Sequence, residues 1–152
     1  MSWPLGCSRY QGRVYRGHNP RWAFAPESGE GARIHGGRWN PIGTPALYTS
    51  CRFETAWLEA QQGFAYKTQP LTLCTYEVDC GPILDLTDPA NLVHYAITEQ
   101  ALGCAWLNQY FAGVEPDSWR IARNLIDRKI AGIKIHSQAV GAKDDDINVV
   151  FW

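Results

Sequence analysis

The side chains in this sequence that could do chemistry are few, and the first is an arginine set among glycines. Arg38 follows Gly36 and Gly37 and precedes Trp39, Asn40 and Pro41. Glycines let a backbone come close to a ligand, and the guanidinium fork matches a pyrophosphate. The competing reading is a structural arginine that binds backbone carbonyls in a surface loop, and the loop's residues taken alone favour it. Further on, Glu54-Thr-Ala-Trp-Leu-Glu59 carries two carboxylates. Glu54 falls in the first turn of an expected helix, where the dipole favours an acid. Glu59 flanks the apolar face of that helix, where a partly buried carboxylate needs either a cationic partner or a task.

Other constellations are missing. The sequence contains no GxxxxGK[ST], no GxGxxG between a strand and a helix, and no GxSxG, which removes the P-loop, the Rossmann site and the serine elbow. Gly29-Glu30-Gly31 precedes no evident helix and is weak as a phosphate cradle. His18, His35, His94 and His136 lack ligand spacing, so no metal is expected. Asp144-Asp145-Asp146 reads as a solvated loop before the last strand.

A chain of 152 residues suits one domain, taken as 1–152. Apolar residues at 45% and charged residues at 19% describe an ordinary globular chain. Seven Trp and seven Tyr are mostly core filler, with a minority available to line a pocket for a flat ring. Fourteen cations against fifteen anions and no basic run argue against direct nucleic-acid binding, and hence against an RNase. They leave room for a local arginine pair that grips one phosphorylated ligand. Five cysteines without a CxxC pair point to a reducing compartment. With no signal peptide and no membrane-length apolar run, the expected location is cytoplasmic, away from any membrane.

The hydrophobic pattern predicts a short strand over 13–16, then an irregular Gly- and Pro-rich stretch over 17–45 of the kind that carries function. A strand over 46–49 runs into a helix over about 53–62. Phe53, Ala56, Trp57 and Ala60 form its apolar face, and Gly63 is its stop. Strands follow at 71–78 and 83–84, and a helical pattern opens at Thr87-Asp88-Pro89 and reaches Phe111 with a break near Gly103. A further helix starts at 117 or 118, places Trp119, Ala122, Ile126 and Ile130 on one stripe, and ends at Gly132. Strands at 133–137 and 147–152 close the chain. Strands at both ends with helices between predict an α+β fold whose sheet joins early strands to late ones.

Gly36-Gly-Arg38-Trp-Asn-Pro-Ile-Gly-Thr-Pro-Ala-Leu-Tyr48-Thr-Ser followed by Glu54-Thr-Ala-Trp-Leu-Glu59 resembles the signature of the RES-domain family. Val14-Tyr-Arg16, Gly132-Ile-Lys-Ile-His-Ser137 and Asn148-Val-Val-Phe151 sit where that family would place them, so the resemblance spans essentially the whole chain. It implies a single α+β domain similar to ADP-ribosyltransferase toxins, with a central mixed or antiparallel sheet and flanking helices. It also implies a toxin of a bacterial type II toxin–antitoxin pair. Such a toxin cleaves NAD at the nicotinamide–ribose bond and passes ADP-ribose to a protein, to water or to phosphate. NAD would be consumed as substrate, with no further cofactor and no metal. The partner would be an antitoxin with an Xre-like helix-turn-helix domain, and a homodimer is compatible.

Carried over by residue, the resemblance makes Arg38, Glu59 and Ser137 the name-giving trio, with Arg16 and Tyr48 beside them. Arg16 and Arg38 would grip the pyrophosphate, Tyr48 would pack on the nicotinamide, and Glu59 would face the ribose. Ser137 would position a ribose or amide group. Between the two carboxylates of the helix, Glu59 is preferred to Glu54. A module that binds NAD or ADP-ribose without turning it over is the main alternative.

Overall fold

The structure, a computed structural model, describes residues 2–18, 20, 25–61 and 70–152. Five strands close into a barrel: β1 (Cys7–His18), β2 (Leu47–Ser50), β3 (Thr72–Asp85), β4 (Gly132–His136) and β5 (Ile147–Phe151). Around the ring the order is β1-β2-β5-β4-β3, with β3 and β4 parallel and every other neighbour antiparallel. Closing the sheet this way leaves no open edge between these strands. Early β2 pairs with late β5, the joining of chain ends that the sequence pattern predicts.

β1 and β3 are longer than the strands read from alternation. They pair from Cys7 opposite Leu84 to His18 opposite Thr72, so a long ladder carries the backbone through Gly12, Gly81 and Pro82. Local propensity at those three residues argues against a strand, and the tertiary pairing overrides it. As a result the expected strands at 71–78 and 83–84 are one element.

Helices α1 (Glu30–His35), α2 (Phe53–Ala60), α3 (Pro89–His94), α4 (Glu99–Leu102), α5 (Trp106–Phe111) and α6 (Asp117–Asp127) complete the chain. α1 lies in the stretch expected to be irregular, directly after Gly29. The pattern over 88–111 is three short helices. α3 ends where Ala96 takes the left-handed conformation (φ 54°) and Ile97 N–H bonds back to Leu92 O. α6 stops ahead of Gly132 by the same device at Lys129 (φ 63°), with Ile130 N–H on Leu125 O. Among the described residues no helix is long and apolar enough to cross a membrane.

The main core lies between the sheet and α3, α4 and α6. Trp39, Leu84, Leu86, Leu125, Ile133 and Val150 are all essentially inaccessible there. Val14, Ile83 and Val149 form a smaller cluster on the opposite face of their strands. Both Val149 and Val150 are fully buried, so β5 is covered on its two faces.

α2 corrects one expectation. It buries Thr55 and Ala56, and leaves Phe53 and Trp57 about half exposed at 53% and 45%. The reason is steric. A Cβ added at Gly17 of β1 would lie 2.9 Å from Ala60 Cβ, so this helix approaches the strand too closely for its large side chains to lie between. Small residues line the contact, and Glu59 shares their side of the helix. The expected end at Gln62 and stop at Gly63 fall outside the described residues.

Candidate active site

Cross-strand register builds the floor of the site. Tyr15, Ser50, Asn148 and Ile135 sit opposite one another along one row across β1, β2, β5 and β4. Tyr48, Val150 and Ile133 form the next row. Directly opposed residues point to the same face of a sheet, so Tyr48, Ser50 and Asn148 share one side. α2 lays Glu59 against that side.

Glu59 Oε1 accepts two hydrogen bonds: from Ser137 Oγ at 2.5 Å and from Asn148 Nδ2 at 2.6 Å. Asn148 Oδ1 in turn accepts from Ser50 Oγ at 2.7 Å. Ser137 is buried just past β4, and its hydroxyl also accepts from Ala139 N–H at 3.2 Å. Its proton is therefore directed at Glu59.

Two cavities meet at Tyr48, Glu59 and Asn148. The smaller, about 250 Å³, is lined also by Tyr15, Arg16 and Ser50. The larger, about 470 Å³, is lined also by Arg38, Trp39, Trp106, His136 and Gln138. Glu59 thus shares one cavity with Arg16 and the other with Arg38. The two arginines lie in different cavities, so a pyrophosphate held by both would have to cross the boundary that Tyr48 and Asn148 form. Small-molecule sites typically enclose roughly 300–1,000 Å³, a range these cavities reach together. Glu54 is exposed and lines neither of them.

Both readings of Arg38 have a structural counterpart. Its Nη1 donates to Cys104 O at 2.6 Å and to Leu102 O at 3.4 Å, at and just past the end of α4, which is the carbonyl-binding role. Those bonds use Nη1 alone. Among the described residues Nε and Nη2 make no hydrogen bond, which leaves two donor groups on a guanidinium whose plane is already fixed. Arg16 Nη1 makes one long bond, 3.4 Å, to Pro26 O.

The loop that carries Arg38 is organised by Asn40, fully buried and absent from the residues singled out by sequence. Asn40 Nδ2 donates to Ala32 O at 2.7 Å and to Thr44 O at 2.9 Å, while Oδ1 accepts from Tyr48 Oη at 2.6 Å. Tyr48 Oη also accepts from Trp39 N–H at 2.8 Å. Burial pushes the Tyr48 phenol well above its ordinary range, against the N–H of Trp39 and the charge of Arg38, so it stays protonated to serve Asn40. The tyrosine hydroxyl is committed to the loop, and its ring is what the cavities meet. Gly37 has no alternative here, since a Cβ would fall 2.5 Å from Tyr48 Oη and 2.7 Å from Asn40 Oδ1. Trp119 Nε1 of α6 ties the loop down through Gly37 O at 2.7 Å.

A second network fixes the start of α2. Asp146 is buried, and its Oδ1 accepts from Thr55 Oγ1 at 2.6 Å and from Arg52 at 2.9 Å, while Oδ2 accepts from Lys143 N–H at 2.8 Å. The Thr55 hydroxyl, the Lys143 N–H and then Arg52 hold this carboxyl below the usual aspartate range. The expected solvated acidic loop is corrected for its third residue: Asp144 and Asp145 are exposed, and Asp146 is a structural anchor. Asn148 and Asp146 both escape sequence reading, because an amide in a strand and an acid in an acidic run have no local signal.

Comparison with known proteins adds a fold and a family. No curated protein sequence matches the chain. The crystal structure of the M. tuberculosis MbcT–MbcA toxin–antitoxin complex contains a chain that superposes with a TM-score of 0.69 at 22% identity. The match covers 96% of this chain and 76% of that one. At that identity the likeness establishes the α+β fold. The family model for the RES domain matches residues 13–152, which leaves out the first half of β1 and the six residues ahead of it. The chain belongs to the RES-domain family.

Proposed function

We propose that this protein is the toxin of a type II toxin–antitoxin pair and cleaves NAD at the nicotinamide–ribose bond. One observation carries the reading: Glu59, held by Ser137 and Asn148, stands where two cavities meet, each with its own arginine. A carboxylate at that point suits a reaction whose transition state places positive charge on a ribose. The C1′–N bond breaks, its electron pair leaves with nicotinamide, and the nucleophilic atom of the acceptor closes on C1′ and gives up its proton. Arg38 and Arg16 bind phosphate oxygens through charge-assisted hydrogen bonds. The Tyr48 ring packs against the nicotinamide. Ser137 serves the reaction by holding Glu59.

The acceptor is a protein side chain, water or phosphate. The expected partner is an antitoxin with an Xre-like helix-turn-helix domain that covers the cleft, within the cytoplasm, and a homodimer is compatible with this picture.

Purified protein incubated with NAD tests the reading by nicotinamide release. Glu59→Gln should lower turnover about 10²–10³-fold with NAD binding largely retained. A Glu59→Gln protein that matches wild-type consumption removes Glu59 from the reaction. Wild-type protein that binds NAD and leaves it intact instead supports a binding module. Biotinylated NAD with bacterial lysate then assigns the acceptor: a discrete labelled band means protein, free ADP-ribose means water, and ADP-ribose-1″-phosphate means phosphate.

A further inference from the structure

The geometry points to Asn148 as a positioning residue that decides which oxygen of Glu59 meets the substrate, with Ser50 setting the direction of the Asn148 amide. The inference rests on the proposed role of Glu59 and adds two residues to it. Ser137 Oγ and Asn148 Nδ2 converge on the same oxygen, Oε1, at 2.5 and 2.6 Å. Among the described residues nothing donates to Oε2. An ionised carboxylate accepts at both oxygens, so two donors on one of them fix the rotation of the group and leave the other for a ligand.

An amide can do this only if its nitrogen faces the carboxylate. Reversed, Asn148 would set oxygen against oxygen. Ser50 Oγ donates to Asn148 Oδ1 at 2.7 Å and so favours the productive orientation. The pair is placed by strand register, Ser50 lying directly opposite Asn148. Both residues line the smaller cavity, and Asn148 lines the larger one as well, so the chain Ser50–Asn148–Glu59 runs along the boundary where the reaction is placed.

The test follows two readouts on the full chain. One is kcat and KM for NAD across pH, for wild type, Asn148→Ala, Asn148→Asp, Ser50→Ala and Ser50→Thr. The other needs no NAD: a ¹³C NMR titration of Glu-labelled protein, with the Glu59 carboxyl signal assigned by its loss in Glu59→Gln. A carboxylate stripped of a donor takes up a proton more readily, and one facing a second carboxylate still more so. In Asn148→Ala the acid limb of kcat and the NMR midpoint should both move to higher pH than in wild type. In Asn148→Asp they should rise further, and the added negative charge in the lining of both cavities should also raise KM for NAD. Ser50→Ala should move both readouts the same way by less, and Ser50→Thr should restore them.

Unmoved midpoints in folded Asn148 and Ser50 variants overturn the proposal, as does a fall in melting temperature with no shift in either readout. If Asn148→Ala does not fold, Ser50→Ala decides alone. A wild type inert toward NAD overturns the proposed reaction, and the NMR titration still decides whether Asn148 controls Glu59.

Discussion

Ser137 Oγ and Glu59 Oε1 lie 2.5 Å apart although 78 positions separate them in the chain. The strand β4 and the helix α2 reach each other at that hydrogen bond, and it transmits the end of one to the reactive group of the other. Hydrogen bonds to charged groups are worth about 1.5–3 kcal/mol. Ser137→Ala should therefore lower kcat roughly 10- to 100-fold, with KM for NAD nearly unchanged because both arginines remain. Steady-state kinetics decide the point. A Ser137→Ala protein in which KM rises and kcat holds would return the hydroxyl to direct substrate binding.

Tyr48→Phe probes the loop more than the reaction. The change strands two buried groups, Trp39 N–H and Asn40 Oδ1, which now bond Tyr48 Oη at 2.8 and 2.6 Å. Leaving a buried donor or acceptor unpaired costs about 1–3 kcal/mol, so Tm should fall by several degrees in a chain of this size. The phenylalanine keeps the ring that lines both cavities, and NAD turnover per folded molecule should drop by less than about tenfold. Thermal melting beside single-temperature kinetics separates the two effects, and loss of activity at unchanged Tm would give the hydroxyl a chemical task.

The fold class was legible because its signals are local: alternation in 71–78, the Asp88-Pro89 helix start, and the apolar stripe through Trp119 and Ala122. The helix at Asp88 is capped as expected, its carboxylate accepting from Ala90 N–H. The length of β1 was illegible, since it is set by β3, about 60 residues away in sequence, and no local window contains that partner. In the site, Arg38 and Glu59 are visible from glycine context and helix position. Asn40, Asn148 and Asp146 are not, because their importance lies wholly in whom they touch. The half-exposed Phe53 and Trp57 show the converse, since periodicity marks an apolar face whether or not close packing admits it.

Arg38 carries two jobs that substitution can separate. Its Nη1 holds Cys104 O and Leu102 O, and the residue lines the larger cavity. Arg38→Ala should raise KM for NAD at least tenfold and also lower Tm, since two carbonyls lose their donor. Arg38→Lys keeps the charge and loses the planar fork, so Tm should recover in part while KM stays high. The measurements are steady-state kinetics with NAD and thermal melting of the same preparations. If Arg38→Lys binds NAD as wild type does, a point charge suffices and the fork is purely structural.

Asp146 gives the fold an acid limit with a definite sign. The Thr55 hydroxyl, the Lys143 N–H and Arg52 lower its folded pKa, while an unfolded aspartate titrates near ~3.9. A depressed folded pKa means that the unfolded chain takes up the proton first. The contribution to stability is therefore complete above about pH 4 and is lost as pH falls through the lower, folded value. Asp146→Asn keeps the shape of the side chain and removes its charge. At neutral pH the variant should melt below wild type, with the start of α2 loosened and Glu59 less well held. As pH falls from about 5 toward 3 the difference in Tm should narrow, because wild type alone forfeits this term. Arg52 and Asp145 are exposed and their ion pair should add little to the effect. A gap in Tm that stays constant from pH 7 to pH 3 would mean that Asp146 holds α2 through shape and neutral hydrogen bonds, with no part played by its charge.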